Sequence, residues 1–191
     1  MMMSRNSAAR KQAQTANEHQ QQLLSRIRAF GYAHRTGDVF ADFVEMAALA
    51  MSNAVDWHQR EAREARYLDL IGKYRPEEVA RFPQMLGALT LAYEERVQLG
   101  DFGDLLGETY MRLKLGNDRA GQYFTPYHVS KLMAMMNVGD GSPHIEQCGF
   151  LTLHEPACGA GGMVIACADV LHASGRNRCC ISQPSSCTGT R

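Results

Sequence analysis

The stretch Glu155-Pro156-Ala157-Cys158-Gly159-Ala160-Gly161-Gly162-Met163 decides how the second half of this chain is read. It follows Phe150-Leu151-Thr152-Leu153-His154, whose apolar residues alternate as they do along a half-buried strand. Glu155 and Pro156 end that strand. Gly159, Gly161 and Gly162 then supply a tight turn in which backbone can approach a ligand closely, because a residue without a Cβ adopts either sign of φ. From Gly162 to Ser174 the spacing predicts a helix. Strand, glycine turn and helix in that order read as a nucleotide-cofactor loop.

Upstream lies a second informative segment, Ala120-Gly121-Gln122-Tyr123-Phe124-Thr125-Pro126-Tyr127-His128-Val129-Ser130. Thr125 followed by Pro126 is a helix-start signal: Thr125 can cap, Pro126 suits the first helical position, and the helix is predicted to run through Asn137. Tyr123 and Phe124 place aromatic surface beside the free backbone donors of that start. The same pair also suits a hydrophobic staple at a helix entrance, and these residues alone leave both readings open.

The chain has 191 residues, enough to bury a core, with 20 Lys plus Arg against 20 Asp plus Glu. No global positive field therefore advertises nucleic acid, and any such contact must come from a local patch or a partner. Apolar runs fall far short of the roughly 20 residues of a membrane span, and the polar N-terminus lacks the apolar core of a secretory signal, so a cytoplasmic location without membrane association is expected. Of the six cysteines, Cys148, Cys158 and Cys167 lie scattered and three crowd near the C-terminus, with no CxxC, and they are read as reduced thiols; the histidines show no HExxH. No metal site is predicted.

Residues 1–17, rich in Ser, Gln, Asn, Ala and Arg, are expected to form a disordered arm, with Arg5, Arg10 and Lys11 either solvated or touching phosphate. Residues 18–115 read as a helical domain. Leu23, Leu24, Ile27, Ala29 and Phe30 suit one helix; Asp38 is expected to cap a long amphipathic helix from Val39 to Val55 that continues into Trp57 to Arg66. Pro76 with Glu77 and Glu78 marks another start, Pro83 an interruption or a restart, and Asp101 a cap for a helix carrying Leu105, Leu106, Tyr110 and Leu113. The cluster Met133, Met135 and Met136 is read as flexible core filler.

Gly121-Gln122-Tyr123-Phe124-Thr125-Pro126, followed by Glu155-Pro156-Ala157-Cys158-Gly159-Ala160-Gly161-Gly162, resembles a motif pair of the N6-adenine DNA methyltransferases, specifically the modification subunits of type I restriction systems. Asp101-Phe102-Gly103-Asp104-Leu105-Leu106-Gly107-Glu108-Thr109-Tyr110 resembles that family's lead-in to the first motif. The resemblance spans Gly100 to Ser174 and extends loosely over the upstream helices. It implies an α-rich N-terminal domain followed by the start of an α/β Rossmann-like methyltransferase domain with an incomplete sheet, at 116–175. It also implies S-adenosylmethionine as cofactor, contacted by Gln122, Tyr123, Phe124, Thr125, Pro126 and Tyr127 and by Glu155, Ala157, Gly159, Ala160, Gly161 and Gly162. DNA is the implied partner, with a specificity or restriction subunit beside it. Cys158 fills a position usually held by a small residue, and nothing beside it in sequence suggests an activating base.

The chain departs from the family in one respect that bears on chemistry. Methyl transfer to an exocyclic amine requires an Asn/Asp-Pro-Pro-aromatic loop to hold the flipped adenine, and the family places it after the glycine motif. Pro76, Pro83, Pro126, Pro143, Pro156 and Pro184 are all isolated here. No catalytic residue is assigned. Residues 176–191, crowded with Cys, Ser, Thr and Arg and without apolar period, are expected to be an irregular tail that leaves the strand at Phe150 without a partner in this chain. A truncation or frameshift of a longer methyltransferase is the expectation, with inactivity of the isolated chain. The alternative is a non-catalytic helical protein that binds a restriction-modification partner.

Overall fold

The computed structural model describes residues 18–115, 125–138, 145–147, 150–156, 158–174 and the backbone of 179–181. The expected arm at 1–17, the motif residues Gln122, Tyr123, Phe124 and Ala157, and the tail beyond Ile181 lie outside the described residues. Helices dominate: α1 (18–28), α2 (Thr36–Val55), α3 (Arg60–Ile71), α4 (Pro76–Val79), α5 (Arg81–Gln98), α6 (Leu105–Arg112), α7 (Tyr127–Asn137), a short α8 at 145–147 and α9 (Gly162–Ala173). Two strands, β1 (Leu151–Leu153) and β2 (Cys179–Ile181), complete the described elements. The chain divides into two compact units, Met1–Leu99 with Thr109–Leu115, and Gly100–Glu108 with Gly116–Arg191.

The first unit is built on α2. Its buried residues Val39, Asp42, Phe43, Met46 and Ala47 recur three and four apart, so one stripe faces inward. Leu23, Leu24 and Ile27 of α1 and Phe82, Met85, Ala88, Leu89 and Ala92 of α5 supply further core stripes. Phe30, Tyr74 and Phe82 form an aromatic cluster, with ring centroids 4.8 to 5.6 Å apart. An open apolar cavity of about 110 Å³, lined by Phe43, Met46, Tyr67, Phe82 and Leu86 among others, lies beside α2 and α5.

Two buried acids are held by partners. Asp42 accepts the Tyr74 hydroxyl at 2.8 Å and pairs with Lys73 at 3.2 Å. Burial, then the Asp42 contact and its charge, push the Tyr74 phenol upward. Glu78 accepts the Arg75 guanidinium at 2.9 Å and the Arg75 backbone N–H at 3.0 Å, and meets His34 at 3.2 Å.

Several helix boundaries differ from the sequence expectation. Arg35, not Asp38, precedes α2, and Asp38 sits inside the first turn, where its charge still faces the positive helix end. The long helix does not continue into α3; it ends at Val55, and Asp56 turns extended with φ −124° and ψ 119°. Asp56 takes the Arg63 guanidinium on its carboxylate, accepts the His58 N–H at 3.0 Å, and receives Arg63 on its carbonyl at 2.9 Å. A carboxylate offering that many local bonds competes with helix continuation, which periodicity does not register. Pro83 causes no break, because α5 starts at Arg81 and proline fits a first turn. The interruption falls at Ala80, between α4 and α5.

In the second unit Asp104, not Asp101, caps α6. Its Oδ1 accepts the Gly107 N–H at 2.8 Å, while Asp101 accepts the Gly103 N–H at 3.3 Å in a turn one step earlier. Both are Asp residues followed by backbone donors, so the sequence offers two caps and the structure uses the later one for the helix. α7 and α9 pack against each other around Ala134, Ala166 and Cys167, flanked by Tyr127, Val138, Leu153 and Val170. Met133, Met135 and Met136 are exposed, which corrects their reading as core filler: the face of α7 that meets α9 is occupied by Ser130 and Ala134 instead.

β1 and β2 pair in parallel, Leu151 with Cys179, Thr152 with Cys180 and Leu153 with Ile181. The stretch read as irregular thus carries a strand, and Phe150 to His154 has a partner within the chain. The physical reason is that three residues suffice to satisfy backbone donors and acceptors in a ladder, whereas periodicity needs a longer window to be visible.

Two outcomes test this description. Glu78 is held at about 2 against an ordinary 4.5, by the Arg75 side chain first, then the Arg75 N–H and His34. A depressed carboxyl contributes stability that is present above its ordinary value and is lost as pH falls toward its folded one. Urea midpoints are therefore expected to drop from about pH 5 down to about pH 2, and Glu78→Gln to be weaker at neutral pH and flatter across that window. Separately, a Cβ on Gly107 would collide with the Asp104 carboxylate. Gly107→Ala is expected to displace the capping carboxylate and cost about 1 to 2 kcal/mol in denaturant titration, comparable to Asp104→Ala.

Candidate cofactor site

The site is assembled from the starts of α7 and α9. Pro126, with φ −56° and ψ 136°, is the cap of α7, so the helix starts one residue later than the sequence suggests. Thr125 is exposed, and among the described residues no side-chain cap is made at this end. An extended ψ at Pro126 carries its carbonyl into the helix, where it accepts the Val129 N–H at 2.9 Å and the Ser130 N–H at 3.2 Å. The Thr125 hydroxyl is thereby displaced from the capping position. Helix-start donors at such an end are suited to an anion.

The glycine turn closes through the Gly161 N–H donating to the Cys158 carbonyl at 2.8 Å. Gly159 has φ 52° and Gly161 φ 83°, both left-handed, and Gly161 is the cap of α9. These two glycines are required by backbone conformation. Nothing stands within 4 Å of a Cβ built on Gly161, so the turn is open above it. Gly162 differs: its φ is ordinary, and a Cβ there would meet Asp104 Oδ2 and Ser130 Oγ at 3.7 Å each. Cys158, Gly159 and Ala160 are exposed, whereas Glu155 is partly buried.

Ser130 is fully buried, and its Oγ has no hydrogen-bond partner among the described residues. Asp169 of α9 is 4 % exposed and accepts the Tyr127 hydroxyl at 2.8 Å on Oδ2; Lys131 reaches the same oxygen at 2.7 Å. Burial, followed by that hydrogen bond and the charges of Asp169, Asp101 and Asp104, pushes the Tyr127 phenol upward. Its hydroxyl is thus committed to Asp169, and its half-buried ring packs against the Ala134, Ala166 and Cys167 cluster.

Of the residues singled out in the sequence, Thr125, Pro126 and Tyr127 stand at the start of one helix, and Gly159, Ala160, Gly161 and Gly162 at the start of the helix packed against it, with Glu155 just beyond β1. Ser130, Lys131, Asp104 and Asp169 were not singled out. A signal for Asp169 was present: it is the lone charge in the apolar run Met163 to Leu171. Among the described residues no group of three His, Cys, Asp or Glu side chains could hold a metal ion, and no helix is long and apolar enough to cross a membrane.

A helix start and a glycine turn that follows a strand thus stand on two helices that pack against each other. Residues 100–182 match the family described as N-6 DNA Methylase. Comparison with curated proteins and with solved structures gave no match.

The two kinds of glycine separate experimentally. Gly161→Ala forces a side chain into the left-handed region and is expected to cost about 1 to 2 kcal/mol in urea denaturation. Gly162→Ala meets only ordinary contacts and is expected to leave stability unchanged or raise it by up to about 1 kcal/mol.

Proposed function

We propose that residues 100–182 form the cofactor-binding part of an S-adenosylmethionine-dependent adenine-N6 DNA methyltransferase of the type I modification-subunit kind. The observation that carries this reading is the pairing of the uncapped start of α7 with the left-handed glycine turn before α9. The parallel β1 and β2, with α9 between them in the chain, are consistent with the opening of a Rossmann-like sheet. The residues present suit the cofactor. The α7 start offers donors for its carboxylate, and the open turn at Gly159 to Gly161 admits close backbone approach. In this reading Gln122, Tyr123, Phe124, Thr125, Pro126 and Tyr127 hold one side, and Glu155, Ala157, Gly159, Ala160, Gly161 and Gly162 the other.

S-adenosylmethionine supplies an electrophilic methyl group on a sulfonium centre. The protein's part is to bind and orient it, and DNA is the substrate that the family match suggests. Adenine N6 must in addition be held by an acceptor loop, and no Pro-Pro sequence occurs among these 191 residues. In this reading residues 100–182 bind and orient the methyl donor, and the groups that hold adenine N6 are supplied elsewhere. A partner that reads the DNA sequence completes the proposal.

A second reading, a helical protein that binds a partner without catalysis, is favoured by the apolar face of α7, where Leu132, Met133, Met135 and Met136 are exposed. Calorimetric titration with S-adenosylmethionine, run beside a methyl-transfer assay on adenine-containing DNA, separates the two. Binding that Gly161→Ala abolishes, with no transferred methyl, is expected. Absence of binding by the wild-type chain leaves the second reading.

A further inference from the structure

Behind the glycine turn, α7 and α9 meet along small residues, Ser130 and Ala134 against Gly162 and Ala166. Such a seam lets helices approach closely but presents few ridges to fix their register. The Ser130 hydroxyl, having no partner, contributes no polar registration. Asp169 does. It lies two turns into α9, roughly 10 Å along the axis from Gly162, and collects both the Tyr127 hydroxyl and the Lys131 ammonium on one oxygen.

We propose that Asp169 is a positioning residue for the methyl-donor site: by holding Tyr127 and Lys131 it locks the first turn of α7 in register with α9, and so sets the spacing of the two backbone ends that face the cofactor. The inference rests on the methyl-donor reading above. The groups facing this carboxylate from α7 are Tyr127 and Lys131, and Tyr127 is the first residue of that helix, directly after Thr125 and Pro126. A shift of α7 along the small-residue seam displaces the α7 donors from the glycine turn. Buried polar contacts that choose one register among several similarly packed ones are the best-attested use of such groups.

The test uses the full chain with Asp169→Asn, which retains an acceptor of the same shape, Asp169→Ala, which removes it, and Lys131→Gln. Affinity for S-adenosylmethionine is measured by calorimetry far below the unfolding transition, where a loss of stability alone does not change it. Amide hydrogen exchange is followed at residues 127–130 and 161–163 without cofactor. Asp169→Ala is expected to weaken binding about ten-fold or more, with Asp169→Asn recovering part of the loss. Exchange is expected to quicken at both helix starts but not in α2. Wild-type binding with unchanged affinity in Asp169→Ala overturns the positioning role and leaves the methyl-donor reading standing. A wild-type chain that does not bind overturns that reading and this inference with it. If neither Asp169 variant folds, Lys131→Gln decides, since Lys131 is partly exposed: weakened binding in a folded chain supports the role, and unchanged binding overturns it.

Discussion

The carboxylate of Asp169 is the constraint on which the second unit depends, because it is nearly inaccessible and would be costly to bury without its two partners. Tyr127 and Lys131 come from successive turns of one face of α7, as positions four apart do. The carboxylate therefore grips a helix rather than a single residue. Everything at the candidate site hangs from the two helices so joined: the extended Pro126 on one side, and the left-handed Gly161 on the other.

The first unit solves a related problem by other means. Asp42 and Glu78 are buried acids, each met by a cation and by an aromatic hydroxyl or imidazole. Beside them the aromatic cluster of Phe30, Tyr74 and Phe82 joins residues from well-separated parts of the unit. Polar anchoring beside an aromatic cluster gives these helices specific neighbours, which apolar stripes alone specify less sharply.

Much of this was legible in the sequence where periodicity was long. The stripes of α2 and α5, the helix ending at Asn137, and the strand–glycine–helix order around Gly159 all emerge from spacing and turn chemistry. Boundaries were less legible, because competing local bonds decide them: Asp56 with Arg63 ends α2, Asp104 rather than Asp101 caps α6, and Pro126 rather than Thr125 caps α7. β2 escaped notice because three residues carry no period. Asp169 was visible only as an oddity of composition, since nothing in a one-dimensional chain pairs it with Tyr127.

The outward side of α7 has a chemical consequence of its own. Met135 and Met136 are 57 % and 77 % exposed, whereas Met46 and Met85 are sealed in the first unit. Oxidation converts a thioether to a polar sulfoxide and follows accessibility. Among the described methionines, an oxidant would reach Met135 and Met136 of α7, with Met51 of α2, ahead of Met46 and Met85, turning the outer face of α7 polar while the buried thioethers stayed intact. The surface most suited to contact with another molecule is thus also the one whose character a mild oxidant would change before the fold was touched.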